Sequence, residues 1–214
     1  MMKLQKYQHA CFTLEKDGKL LVIDPGSDTH DFVPETGIVG VLITHEHSDH
    51  LSHELVRTIV EQNPEVLVVG PENTVESYGA SGRIVTTETE MNIAGFAVKV
   101  FPGRHDAVHP DVPTVPMLRY FIDSKVYYGG DTVNAPDNIH PLVMAVPVAS
   151  NWFRFSEVVD LVRRLQPKYA FPTHDRLLSD VGKKQADNHM TRLTRDYGIT
   201  YTRLGSSAPL TIED

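Results

Sequence analysis

The sequence predicts an α/β fold of two sheets with helices on their outer faces, and three observations carry that expectation. Apolar runs of strand length recur along the whole chain. Capped, one-sided helical stripes follow several of them. Residues able to do chemistry cluster directly after predicted strands, where α/β proteins commonly place their sites.

The elements follow in order. Residues 4–7, 11–15 and 19–23 read as short strands, the last two joined by a turn at Asp17-Gly18 and the third ended by Asp24-Pro25-Gly26. Residues 39–44 form the next apolar strand. Ser52 can cap a helix to about residue 62, with Leu55, Val56, Ile59 and Val60 as its apolar stripe and Asn63-Pro64 as its stop. A strand at 66–69 and a short helix over 72–78, closed near Gly79, come next. Strands are expected at 83–87 and 96–101, and a hairpin at 120–123 and 125–128 running into Gly129-Gly130-Asp131. Another buried run spans 142–147. Ser156 can cap a helix to about residue 165, stopped by Gln166-Pro167. A strand at 169–172 leads to Thr173-His174, then a helix at 183–197 ends at Gly198 before a last strand at 199–204.

The 214 residues suffice for one well-packed core and are marginal for two. No low-complexity or Pro/Gly-rich linker divides them, so a single domain over 1–214 is expected. Hydrophobic content of 41% and charged content of 22% are ordinary for a soluble globular protein. A net charge of -8, without a block of consecutive Lys or Arg, weighs against nucleic acid as the main partner and leaves a small-molecule substrate. Cys11 is the only cysteine, which rules out an intramolecular disulfide and fits a reducing compartment. The N-terminal residues lack the apolar run of a signal peptide, and no stretch approaches a membrane span. A cytoplasmic protein without membrane contact is the expectation; the oligomeric state is not readable.

Residues 45–50 read His-Glu-His-Ser-Asp-His. Neutral imidazole and ionised carboxylate are the donors that Zn²⁺, Mn²⁺ and Fe²⁺ accept. With 11 His in 214 residues, chance placement of His-x-His-x-Asp-His has a probability of roughly 0.002, so the motif is a strong signal. In an extended segment His45 and His47 project to one side and can meet one ion. Asp49 and His50 follow as the chain turns into the helix and can face a second. Further donors stand at the ends of predicted strands: His105, Asp131 and His174. Glu46 faces away and is expected in solvent.

These motifs resemble those of the metallo-β-lactamase fold superfamily of metal-dependent hydrolases. His-Glu-His-Ser-Asp-His matches its HxHxDH signature, and Ile23-Asp24-Pro25-Gly26 resembles the Asp-bearing turn before it. Gly130-Asp131-Thr132 is similar to its bridging-Asp motif and Pro172-Thr173-His174 to its last His. The similarity runs across nearly the whole chain. It looks nearest the compact branch that includes ascorbate-6-phosphate lactonase, whose Gly-His-Ser/Ala turn is similar to Gln8-His9-Ala10, with Gln for Gly. The resemblance implies a four-layer αββα sandwich with its site at one edge of the sheets. It also implies two divalent ions, zinc first with manganese or iron as alternatives. His45, His47 and His105 would hold one, Asp49, His50 and His174 the other, and Asp131 would bridge them. His109 competes with His105 for the third histidine position; His105 lies nearer the strand end.

The chemistry to expect is hydrolysis of a small ester, lactone or phosphoester by hydroxide held on the ions, with Asp49 orienting it and helping to protonate the leaving group. Phosphodiester or nucleic-acid cleavage on the same fold is an alternative, as is a non-catalytic metal-binding sensor. Asp24 reads either as a group hydrogen-bonded to a ligand or as a plain turn residue. His9 can reach the site mouth as a substrate contact or proton donor, or be an ordinary turn histidine. Asn151-Trp152-Phe153-Arg154-Phe155 offers a substrate wall with Asn151 and Arg154 as contacts, or simple aromatic packing. His53 is expected in solvent on the first helical turn, and Cys11 in the core.

Overall fold

A computed structural model describes residues 1–206 and 208–213. Chain order is β1 (Met2–Lys6), β2 (Phe12–Lys16), β3 (Lys19–Ile23), β4 (Ile38–Leu42), α1 (His53–Gln62), β5 (Leu67–Gly70), α2 (Glu72–Val75), a 3₁₀ turn (Glu76–Ser81) and β6 (Gly82–Ile84). There follow β7 (Thr89–Ile93), β8 (Phe96–Arg104), β9 (Pro116–Ile122), β10 (Val126–Tyr128), β11 (Val143–Pro147), α3 (Phe155–Leu165), β12 (Tyr169–Thr173), α4 (Asp180–Thr194), a 3₁₀ turn (Arg195–Tyr197), β13 (Thr200–Tyr201) and β14 (Leu210–Ile212).

Among the described residues the strands form two seven-stranded sheets, ordered β14-β1-β2-β3-β4-β5-β6 and β13-β12-β11-β10-β9-β8-β7. Each sheet follows the same scheme: three antiparallel pairings, then three parallel ones.

Strand periodicity explains how both faces are filled. Leu21, Ile23, Leu42 and Val69 point into a core shared with Val98, Val100, Leu118, Tyr120, Ile122 and Phe171 of the second sheet. Their neighbours Val22, Val41, Ile43 and Val68 turn the other way, onto Val56 and Ile59 of α1. In the second sheet Met144, Val146 and Ala170 meet Val158, Leu161, Val162 and Met190 of α3 and α4. Alternate residues of a strand face opposite sides, so a continuous apolar run marks a strand covered on both. The result is the expected αββα sandwich of the metallo-β-lactamase fold.

Several expected boundaries move. Ser52 caps α1 as predicted, accepting the Leu55 N–H. The α3 cap is Arg154, not Ser156: the Glu157 carboxylate accepts the Arg154 N–H at 2.6 Å, a contact the Ser156 reading overlooked. Helix α4 starts earlier than predicted, at Asp180 behind a Ser179 cap. The helix expected at 72–78 breaks into α2 and a 3₁₀ turn, with Gly79 at φ +55. The strand expected at 83–87 is β6, displaced and shorter, and the last expected strand shrinks to β13. Strands β7 and β14 were not predicted. The hairpin stands, with Asp123 and Ser124 both at positive φ, as a two-residue turn between right-twisted strands requires. No described helix is long and apolar enough to cross a membrane.

Candidate metal centre

The site grows from the end of β3. Asp24, fully buried and at φ +43, accepts four hydrogen bonds. They come from the Thr44 N–H (2.7 Å), the Thr44 hydroxyl (2.6 Å), His50 Nδ1 (2.7 Å) and the Tyr128 hydroxyl (2.9 Å). The next turn clamps the hexapeptide: Ser27 N–H donates to the Ser48 carbonyl at 2.7 Å, and Ser52 N–H to the Pro25 carbonyl at 2.9 Å. Glycine is required at Gly26, because a Cβ there would sit 1.9 Å from the Asp49 carbonyl oxygen.

The seven predicted donors converge at the C-terminal ends of the strands. His45 Nε2 and His47 Nδ1 lie 3.0 Å apart, and the His105 ring sits 5.0 and 4.8 Å from theirs. Asp131 Oδ2 is central, with His174 Nε2 at 3.1 Å, His50 Nε2 at 3.2 Å, His105 Nε2 at 3.6 Å and His45 Nε2 at 3.9 Å. Asp49 Oδ2 lies 3.2 Å from His174 Nε2 and 3.7 Å from His50 Nε2. Three groups of donor atoms therefore cluster within 4.8 Å: His45, His47 and His105; His45, His50 and Asp131; and His9, Asp49, His50 and His174. His105 joins the cluster, whereas His109 is exposed and pairs with Asp111.

The outer ring nitrogens show why the inner ones point inward. Thr44 donates its proton to Asp24 and so accepts from His45 Nδ1 at 2.9 Å. His50 Nδ1 donates to Asp24, His105 Nδ1 to the Asp106 carbonyl at 2.6 Å, and His174 Nδ1 to the Ala149 carbonyl. With Nδ1 held by an acceptor, each ring in its neutral form turns the Nε2 lone pair to the centre, the arrangement metal-ligating histidines adopt.

Charge follows the same plan. Burial alone would favour neutral imidazole at His50, but Asp131 and Asp24 outweigh it and hold that ring well above the usual histidine range. At His174 burial is likewise overcome, by Asp131 and then Asp49, and the ring is pushed up to about 9. Burial would raise the Asp131 carboxyl, yet His50 and His174 hold it well below the usual carboxylate range. Asp49 is lowered against its own burial by hydrogen bonds to His174 and His9. His45 is lowered, by burial first and then by the charge on His50. In effect protons on two imidazoles balance a buried negative centre that a cation also fits.

Among the described residues His50 Nε2, His105 Nε2 and both Asp131 oxygens are buried without a hydrogen-bond partner, although they approach one another closely. Buried polar atoms are normally satisfied. Atoms aimed at a common centre rather than at each other fit a bound ion.

His9 is 1% exposed and its Nε2 lies 2.9 Å from Asp49 Oδ2. Trp152 carries the contact of the 151–155 segment: its ring sits 4.6 Å from His105 and 5.5 Å from His174, and its Nε1–H donates to the Asp131 carbonyl at 3.0 Å. Asn151 and Arg154 are exposed beside it. Glu46 is exposed and Cys11 buried, as expected. His53 is exposed but not merely solvated, since its Nδ1 meets the Tyr78 hydroxyl at 2.8 Å. Sequence reasoning did not single out Thr44, Tyr128 or the Arg176 backbone. Thr44 adjoins the hexapeptide and was findable; the other two depend on the packing of the sheets.

A sequence profile described as "Beta-lactamase superfamily domain" matches residues 3–174. The chain belongs to the beta-lactamase superfamily. Within it, this member is similar to Protein Rv0786c of Mycobacterium tuberculosis, 30% identical over 198 residues covering 90% of this chain and 93% of that one. It is also similar to the UPF0173 metal-dependent hydrolase DSY1309 of Desulfitobacterium hafniense, 26% identical over 81% of this chain and 83% of that protein. Among solved structures, Igni18, a metallo hydrolase from Ignicoccus hospitalis, superposes with a TM-score of 0.75 at 18% identity, covering 100% of this chain and 99% of that one. That likeness speaks for the fold of this superfamily member.

Proposed function

We propose that this beta-lactamase superfamily protein is a dinuclear metal-dependent hydrolase of small esters, lactones or phosphoesters. The observation that carries the reading is the convergence of seven donors around buried, unpartnered Asp131 and imidazole atoms. The names of its relatives support the hydrolase class, and the chain's charge of -8 favours a small molecule over nucleic acid.

His45, His47 and His105 would hold one ion, Asp49, His50 and His174 the other, with Asp131 Oδ2 between them. Zinc is the proposed metal, since imidazole with carboxylate suits it, and manganese and iron accept the same donors. Bound divalent ions would make a water acidic enough to ionise near neutral pH and would polarise a substrate oxygen. The protein's own groups do the rest. Asp49 keeps 28% of its side chain exposed while Asp131 keeps 1%, so Asp49 is the carboxylate that reaches incoming substrate. It would orient the attacking water and help to relay that water's proton to the leaving group. Trp152, held by its Nε1–H, would wall the site, and the exposed Asn151 and Arg154 beside it are the proposed substrate contacts. The His9 turn, similar to that of the lactonase branch, puts lactones first in a substrate panel.

Metal analysis of gently purified protein should find about two transition ions per chain. Less than half an ion would refute the dinuclear reading. Lactones, carboxyl esters, phosphoesters and phosphodiesters would then be assayed with Zn²⁺ and Mn²⁺. Uniform inactivity at full loading would refute a hydrolase. Asp131→Asn should cost at least about 100-fold in turnover with the fold retained.

A further inference from the structure

The four-residue group His9, Asp49, His50 and His174 looks like a closed ligand shell, but the nitrogens of His9 are arranged the opposite way from the others. His45, His50, His105 and His174 each place Nδ1 against an acceptor. His9 Nδ1 instead receives a donor, the Arg176 backbone N–H at 3.4 Å. An imidazole nitrogen that accepts must be unprotonated, so the proton of neutral His9 sits on Nε2 and points at Asp49 Oδ2, 2.9 Å away. A protonated nitrogen has no lone pair for an ion.

We propose that His9 is a positioning residue, fixed by the Arg176 backbone as an Nε2–H donor that orients the Asp49 carboxylate and leaves the second ion an open coordination position. The proposal rests on Asp49 being an ion ligand.

The surroundings fix this geometry from two sides. His9 occupies a left-handed conformation at φ +57, unfavourable for a residue with a side chain. The buried ammonium of Lys6 donates to the carbonyls of Tyr7 and His9, which pins that turn. The Arg176 guanidinium reaches the Gln8 side-chain carbonyl at 3.3 Å and pairs with Asp28 at 3.3 Å, which anchors the segment whose N–H donates to His9 Nδ1. If His9 were a ligand it would present a bare Nε2 and a protonated Nδ1, and Nδ1–H would then face the Arg176 N–H, donor against donor. The donor role also keeps the second position reachable: with Asp49, His50, His174 and the bridging Asp131 the second ion would already have four protein donors, and a fifth from His9 would occupy the place that water or substrate needs.

The test combines long-range ¹H–¹⁵N correlation of the histidine rings, in metal-free and zinc-loaded protein, with second-ion affinity of two variants. Expected are a His9 Nε2–H tautomer in both forms and second-ion binding about 10–100-fold weaker in His9→Leu. His9→Gln, whose amide can donate to Asp49, should return within about threefold of wild type. A zinc-loaded spectrum with His9 protonated at Nδ1 would overturn the proposal. So would a Gln variant as weak as Leu, or a Leu variant that binds like wild type. Wild-type protein that takes up only one ion refutes the dinuclear reading instead, and the metal-free spectrum then still decides whether His9 donates or accepts.

Discussion

Replacing Asp24 by Ala should cost the metal-free protein about 5 kcal/mol, a large part of a typical domain's stability. The carboxylate accepts four buried hydrogen bonds. The Thr44 and Tyr128 hydroxyls can rotate toward other acceptors; the Thr44 N–H and His50 Nδ1–H cannot. Two orphaned buried donors cost about 2–6 kcal/mol, and breaking a buried charge pair costs about 3–5, so about 4 is the central expectation. The left-handed backbone at φ +43 adds about 1 for Ala. Urea unfolding at pH 7 in chelator would show a lower midpoint with unchanged slope. Asp24→Asn, which tolerates the backbone and keeps one oxygen for the Thr44 N–H, should fold better but bind the second ion about 10–100-fold more weakly, because His50 loses its orienting partner. A loss below about 1 kcal/mol in Asp24→Ala would refute Asp24 as the hub of the site.

Other outcomes follow from the same geometry. His50 and His174 are raised, the latter to about 9, so both are protonated at pH 7 without metal, and ion uptake should release about two protons per chain. Calorimetry in buffers of different ionisation enthalpy measures this; zero release would contradict the charge arrangement. The sign carries to stability: the contribution of raised His174 is complete below its ordinary value near 6.5 and lost as pH climbs through about 9, so metal-free protein should weaken across that window. Gly26→Ala should cost about 1–3 kcal/mol and weaken the second ion, because backbone at Asp49 must move; an unchanged melting temperature would argue against that contact. His105→Ala should reduce zinc to about one ion per chain while His109→Ala keeps both, and the reverse result would assign the third histidine to His109.

Much of this was legible in the sequence because local rules and tertiary demands agree there. Apolar runs such as 39–44 are strands buried on both faces, and Ser52 caps the helix that the hexapeptide enters. Legibility failed where a neighbouring strand decides. Pro102 and Gly103 read as breakers, yet β8 continues to Arg104: β7 pairs it only as far as Val100, so the missing Pro102 N–H falls beyond that neighbour. Pro172 likewise lies within β12 past the last β13 pairing at Ala170. Strand β7 escaped notice because it is a sheet edge whose Thr89, Glu90 and Asn92 look like loop. At the site, donor identities and order could be read one by one. His105 could be preferred to His109 as the residue nearer the strand end, but the acceptor role of His9 Nδ1 could not be read, since it depends on a contact to Arg176, distant in sequence.

The division of the centre between the two sheets sets a timetable for its birth on the ribosome. The first sheet's strand ends supply His45, His47, Asp49 and His50, while the second supplies His105, Asp131 and His174. A growing chain therefore carries four of the seven donors first, and the last, His174, follows His50 by 124 residues, roughly 6–25 s at about 5–20 residues per second. During that interval the hexapeptide would hold an ion only loosely, and a metal it met could exchange. Ion choice would thus be settled late, after His174 has emerged and the second sheet has docked. The metal a cell keeps available at that moment, more than the hexapeptide's own preference, would decide which ion the finished protein carries.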